Sequence, residues 1–225
     1  VAHEALSLVS DGMVLGLGSG RAAHAFVRLL GERVRAGLDV RGVPTSQATE
    51  GLAREVGVPL VELAEVPSLD LAFDGADEVA PNLDLVKGLG GALVRERIVA
   101  AEAQRFVILV TPDKLVERLG ERCALPVEVV PFALPTVERR LRSMGARVTR
   151  RTAGEAPFVS DNGNAILDCG FGPVTDAKAL ERTLRAIPGV VDTGFFLAMA
   201  TLVLVGDESG VRKLGVASRP EPQAG

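Results

Sequence analysis

The sequence predicts an α/β protein: a doubly wound, mostly parallel sheet domain carrying an inserted ferredoxin-like α+β domain. Two observations carry that expectation. Over the first half, short apolar strands alternate with amphipathic helices, the pattern of a parallel sheet. Over residues 126–198 the order becomes β-α-β-β-α-β, after which "TLVLVG" reads as a strand of the first kind. The predicted division is therefore 1–125 plus 199–225 for a Rossmann-like α/β domain and 126–198 for the inserted one. No low-complexity linker separates them, so rigid docking is expected. A chain of 225 residues, 47% hydrophobic, can bury the core that this plan needs.

Each element has its own signal. "MVLGLGSGRAAHAFVRLLGERVRAG" is a strand, a glycine turn and a helix whose apolar face holds Ala22, Phe26, Leu29 and Leu30. "VRGVPTSQATEGLAREVGVPLV" repeats it, with hydroxyls at Thr45, Ser46 and Thr49 where a helix is capped and Gly57 where it stops. "LDLAF" is a third strand running into Asp74; "RFVILVT" is a fourth, after the helix "GALVRERIVAAEAQ". Beyond these lie helix "PTVERRLRSMG", strand "ARVTRRT", a hairpin-like "FVSDNGNAILDCGF" turning at Asn162-Gly163, helix "DAKALERTLRAIPG" and strand "VVDTGFFLA". "TLVLVGDESGVRKLG" reads as one more parallel strand and a tail.

Composition narrows the chemistry. A net charge of −4 without a basic stripe argues against nucleic acid, and no apolar run approaches the roughly 18 residues of a membrane span. Cys123 and Cys169 lack CxxC spacing and the N-terminus is not signal-like, so a reduced, cytoplasmic setting is expected. His3 and His24 are the only histidines and lack metal-site spacing; no G-x-S-x-G elbow accompanies them. A zinc enzyme is not expected, and acid/base work falls to Asp, Glu and the scarce lysines.

Gly16, Gly18 and Gly20 with Ser19 form a strand-to-helix turn able to offer N–H groups to a phosphate, or simply to allow close packing. Arg21 stands where a dinucleotide fingerprint needs glycine, and no Gly-Lys-Ser/Thr follows. Asp74-Gly75-Ala76-Asp77 follows a strand at the sheet edge that holds ligands, where two carboxylates can differ in protonation or merely cap a loop. Glu78 and Asp84 fit the solvent-facing background. Glu96 shares a helix face with Ala92, Leu93, Val99, Ala100 and Ala103, while Arg95 and Arg97 point to water. A carboxylate on an apolar stripe is either a general base of raised pKa or a buried ion pair. Lys87, before Gly88-Leu89-Gly90-Gly91, could serve a developing oxyanion or lie on the surface.

"GLGSG", "DGADEV", "KGLGGALVRERIV", "TPDKLVERLG", "LPVEVVPFA", "DNGNAILDC" and "PGVVDTGFF" together closely resemble the type A ribose 5-phosphate isomerase family over nearly the whole chain. The resemblance implies interconversion of ribose 5-phosphate and ribulose 5-phosphate in the pentose phosphate pathway, without metal or organic cofactor. It also implies a two-domain α/β fold and a homodimer or larger homo-oligomer. It makes Glu96 the base acting through a cis-enediolate, Lys87 the stabiliser of the enediolate oxygen, and Asp74 and Asp77 the groups for ring opening and proton movement between oxygens. Leu17, Gly18, Ser19, Gly20, Gly75, Ala76, Gly88, Leu89, Gly90 and Lys114 become substrate-binding positions. Leu17, Gly20 and Leu89 depart from the family pattern; the hydroxyl lost at Gly20 shifts weight to Ser19 with Ser46 or Thr49. A sugar-phosphate sensor, a nicotinamide dehydrogenase and a different isomerase or deaminase are the competing classes. A sensor would lack Lys87 and Glu96 in this context and carry a DNA-binding helix-turn-helix.

Overall fold

The computed structural model describes residues 1–215. Its elements are α1 (Ala2–Leu6), β1 (Val14–Leu17), α2 (Arg21–Arg35), β2 (Arg41–Pro44), α3 (Gln47–Val56), β3 (Leu69–Asp74), β4 (Glu78–Val79), β5 (Leu85–Val86), α4 (Leu93–Glu102) and β6 (Ala103–Val110). There follow β7 (Leu125–Val129), α5 (Leu134–Ser143), β8 (Arg147–Arg150), β9 (Thr152–Ala153), β10 (Ala156–Pro157), β11 (Ala165–Gly170), α6 (Ala177–Arg185), β12 (Val190–Thr193), β13 (Phe195–Phe196), β14 (Leu202–Asp207) and β15 (Gly210–Gly215).

A six-stranded sheet of order β15-β14-β6-β3-β1-β2 forms the main layer, parallel throughout except where β15 returns beside β14. Its inner strands are apolar on both faces because both are covered. Leu15, Leu17, Leu71, Phe73, Val107 and Leu109 pack with Phe26, Val27 and Leu30 of α2 and Leu52 and Ala53 of α3. Their alternate neighbours Ala72, Phe106, Ile108, Val203 and Val205 pack with Val99 and Ala100 of α4. Gly16 lets α4 come close: a Cβ there would lie 2.5 Å from Val99 Cγ1 and 2.7 Å from Ala72 Cβ.

A second sheet of order β12-β7-β11-β8, antiparallel throughout, is backed by α5 and α6 around Val127, Val129, Val137, Leu141, Leu167 and Leu184. Paired residues in the ladder share a face, so Glu128, Asp168 and Asp192 stand together on the face opposite that core. A three-stranded sheet, β13-β5-β4, lies between the units.

The structure revises several details. "VVDTGFFLA" is two strands, because Gly194 leaves the second sheet: its N–H donates to Pro126 O at 2.7 Å and its carbonyl accepts Lys87 N–H at 2.8 Å. A Cβ at Gly194 would lie 2.3 Å from Lys87 O, so only glycine lets the chain cross there. The stretch after β14 is an antiparallel edge strand rather than a tail, and residues 216–225 lie outside the described part. The buried face of α2 centres on Ala23, Phe26, Val27 and Leu30, leaving Leu29 half-exposed. The turn at 161–163 forms, closed by Gly163 N–H donating to Ser160 O, but residues 158–160 are not a strand; β11 pairs with β7 and β8 instead.

Candidate active site

The strand order reverses between β1 and β3, and the C-terminal ends of strands at such a reversal leave an open crevice. Beyond β1 the chain turns through Gly18, Ser19 and Gly20 into α2; β3 ends on Asp74. The two ends are fitted together. Gly18 N–H donates to Phe73 O at 2.8 Å, and a Cβ on Gly18 would lie 2.3 Å from Asp74 Cγ. Asp74 Oδ1 accepts the N–H groups of Ser19 (3.1 Å) and Gly75 (2.7 Å).

Lys87 follows β5, and its side chain lies in the same crevice. Its Nζ lies 3.0 Å from Asp74 Oδ2 and 3.3 Å from Glu96 Oε2, and it donates to Gly75 O at 2.6 Å. All three charged side chains are buried, Glu96 only 4% exposed. Two carboxylates and one ammonium out of water cannot all keep their ordinary protonation. Burial, then the Asp74 charge, pushes Glu96 up to about 8, with Lys87 opposing. Asp74 is also raised, by burial, with Lys87 opposing. Burial depresses Lys87, but the Asp74 and Glu96 carboxylates outweigh it and hold it above its ordinary value.

Lys87 and Glu96 line a cavity of about 710 Å³, together with Ser19, Gly20, Arg21, Gly75, Ala76, Asp77, Gly88, Gly90, Thr111, Asp113 and Lys114. Of the residues expected from sequence, Asp74, Leu17, Gly18 and Leu89 are not on its wall. Asp74 lies behind Lys87, in contact with its ammonium. Leu17 is buried, its side chain against Gly42, and only its carbonyl faces the turn, accepting from Thr45 N–H and Oγ1. Leu89 is 45% exposed, while its N–H donates to Asp77 Oδ2 at 3.0 Å. Ser46 and Thr49 are corrected too: buried and off the wall, with Thr45 they surround Ser19 Oγ at 2.7–3.2 Å and brace it from behind.

Three background assignments fail. Glu78 is fully buried, accepting the N–H groups of Gly120 (2.5 Å), Arg122 (2.6 Å) and Cys123 (2.9 Å). Asp84 is buried and accepts Ala198 N–H at 2.7 Å. Arg97 turns away from water to Asp192 and Glu181. The sequence reading missed Arg21, whose signal was a cation set immediately after the turn glycine. Among the described residues Arg21 has no ion-pair partner. Among these residues, too, no group of three His, Cys, Asp or Glu side chains could hold a metal, and no helix is long and apolar enough to cross a membrane.

A proton-holding carboxylate beside a buried ammonium, under a cavity with cations at Arg21 and Lys114, defines an α/β acid/base enzyme for a small anionic substrate. The family model for ribose 5-phosphate isomerase A (phosphoriboisomerase A) matches residues 41–210. The ribose-5-phosphate isomerase A of Roseiflexus sp. strain RS-1 is 51% identical over 220 residues, 96% of this chain and 94% of that protein. Among solved structures, ribose 5-phosphate isomerase A from Methanocaldococcus jannaschii superposes with a TM-score of 0.91 at 45% identity, covering 96% of each chain. A D-ribose-5-phosphate isomerase in complex with phospho-erythronic acid superposes at 0.93 with 40% identity, again covering 96% of each chain. The chain belongs to the ribose 5-phosphate isomerase A family.

Proposed function

We propose that this isomerase interconverts ribose 5-phosphate and ribulose 5-phosphate with Glu96 as the base that carries a proton between C2 and C1. The observation that carries this reading is the buried Glu96–Lys87 pair, 3.3 Å apart on the cavity wall. A carbon acid is deprotonated quickly only when the base is already placed and the enediolate oxygen meets a fixed positive charge. Lys87 supplies that charge. Asp77, on the wall, is assigned ring opening and proton movement between the sugar oxygens. Asp74 is off the wall and is reassigned to holding Lys87. The phosphate is assigned to the rim, with Arg21 and Lys114, because Lys87 is already engaged by two carboxylates.

The second sheet with α5 and α6 is read as a ferredoxin-like domain inserted at 126–198, a reading supported by its 4-1-3-2 antiparallel order. A homodimer or larger homo-oligomer is also proposed, with Phe132, 96% exposed, as an apolar residue that such contact would cover. A cytoplasmic setting and activity without metal complete the proposal.

The test is to assay ribose 5-phosphate beside other aldose phosphates and phosphate-free ribose, with and without chelator, in D2O. Turnover fastest on ribose 5-phosphate, insensitive to chelator and with solvent deuterium entering at C1 or C2, is expected. Chelator-sensitive turnover, or none on ribose 5-phosphate, would overturn the reading.

A further inference from the structure

We infer that Arg97 is a positioning residue for the Lys87–Glu96 pair, tying the floor of the cavity to the second sheet. This rests on Glu96 being the base. Arg97 follows Glu96 in α4 but leaves the helix on the other side, and its side chain is only 15% exposed. Its Nε meets Asp192 Oδ2 on β12; its Nη2 lies 3.2 Å from Glu181 Oε1 on α6. The same nitrogen donates to Thr193 O at 2.9 Å and to Phe195 O, so one end of the guanidinium holds the chain where β12 passes into β13.

The link continues to the chemistry through Phe196. The Arg97 guanidinium lies 4.7 Å from the centre of that buried ring, and Lys87 Nζ lies 5.5 Å from the same centre. Both cations are drawn to one ring. Glu96 is thus tied to Arg97 through the helix backbone and, by way of Lys87, through the ring. Releasing this hold would let β13 and its ring shift beneath the ammonium, and misplacement on the order of 1 Å, even by a change far from the reacting atoms, lowers turnover. Arg97 is not on the cavity wall, so substrate binding has no direct stake in it.

A merely structural pin would change stability alone, so the readouts are kcat against KM and the pH profile of kcat. The charged groups facing Arg97 are Asp192, Glu181 and, beside Asp192 at 3.8 Å, Arg185. Those facing Glu96 are Lys87, Asp74 and Asp77. In the full chain, Arg97→Gln is expected to lower kcat by about 10- to 100-fold, with KM for ribose 5-phosphate little changed and the acid limb of kcat displaced. Arg97→Lys should recover part of the loss. Asp192→Asn, which preserves side-chain volume, should lower kcat in the same direction, and the double variant should be far less than additive.

A folded Arg97→Gln protein with unaltered kcat and pH profile would overturn the inference. Should that variant not fold, Asp192→Asn carries the test, and unaltered turnover and profile there have the same force. Glu96→Gln separates the two levels. If it keeps turnover, the base assignment fails; if it loses turnover while Arg97→Gln is silent, only the positioning role fails.

Discussion

In the proposed mechanism Glu96 takes up a proton and gives it up within one turnover, and its surroundings set that balance. Burial and Asp74 raise it to about 8 while Lys87 pulls the other way, so the free enzyme's kcat/KM should rise with pH along a limb centred near that value. Glu96→Gln removes the base but keeps the shape; kcat should fall at least ~10³-fold with little change in KM. Near-normal turnover would remove Glu96 from the role. The same group affects stability with a definite sign. Between its ordinary 4.5 and about 8, the folded protein keeps a proton that the unfolded chain has lost, so stability declines as pH rises through that window. Urea unfolding should therefore show Glu96→Gln gaining on the parent protein between about pH 4.5 and about pH 8. Arg21 is a simpler case. It has no ion-pair partner to lose among the described residues, so Arg21→Ala should leave the melting temperature nearly unchanged. A lost charge-assisted bond is worth about 1.5–3 kcal/mol, so KM should rise roughly 10- to 100-fold with kcat nearly kept. An unchanged KM would move the phosphate away from this rim.

Elements were legible in the sequence where burial has a period, and obscure where a polar group is buried to hold a loop. The strand ends at Leu17 and Asp74 and the apolar stripe carrying Glu96 could all be read, because strand alternation and helix faces repeat. Glu78 and Asp84 could not. The polar–apolar alternation around Asp84 marks an exposed face only if one side meets water, and here β4 and β5 are covered on both. Glu78 replaces water for the segment before β7, taking three backbone donors that no helix or strand satisfies. Such demand is set by chain 42–45 residues away, which local pattern does not encode. Arg97 and Arg21 were misplaced or missed likewise, as their surroundings come from the second sheet and the cavity. Glu78→Ala should leave these N–H groups unpaired in a dry site, at about 1–3 kcal/mol each. A clear drop in melting temperature is expected, and a drop under a degree would mean that water reaches the loop.

At the scale of the molecule, the face of the second sheet bearing Glu128, Asp168 and Asp192 holds the segments that line the cavity in place. Asp192 takes Arg97, and Asp168 pairs with Arg151, which donates to Gly88 O at 2.7 Å and Leu89 O at 3.0 Å. Glu128 works through a turn. Its Oε1 accepts from Ser160 Oγ, Asn162 Nδ2 and Asn164 Nδ2 at 2.8–3.1 Å. That turn reaches back to the first unit: Asp161 Oδ2 accepts Gln47 N–H at 2.7 Å, at the start of α3, and Asn162 Oδ1 accepts Arg95 Nε at 2.9 Å, beside Glu96. Glu128→Ala removes the one acceptor common to these three donors while leaving the apolar core of the second sheet intact. The turn should then open more often than the sheet beneath it. Hydrogen exchange should quicken first at Gly163 and at Gln47, whose amides the turn closes or caps, while Val127 and Leu167 stay protected. Uniform loss of protection would mean that Glu128 supports the whole unit; unchanged exchange at Gln47 would mean that α3 does not depend on the turn. Local opening confined to the turn and α3, joined to slower turnover, would show that the second sheet contributes to catalysis by holding the segments around Glu96 in register.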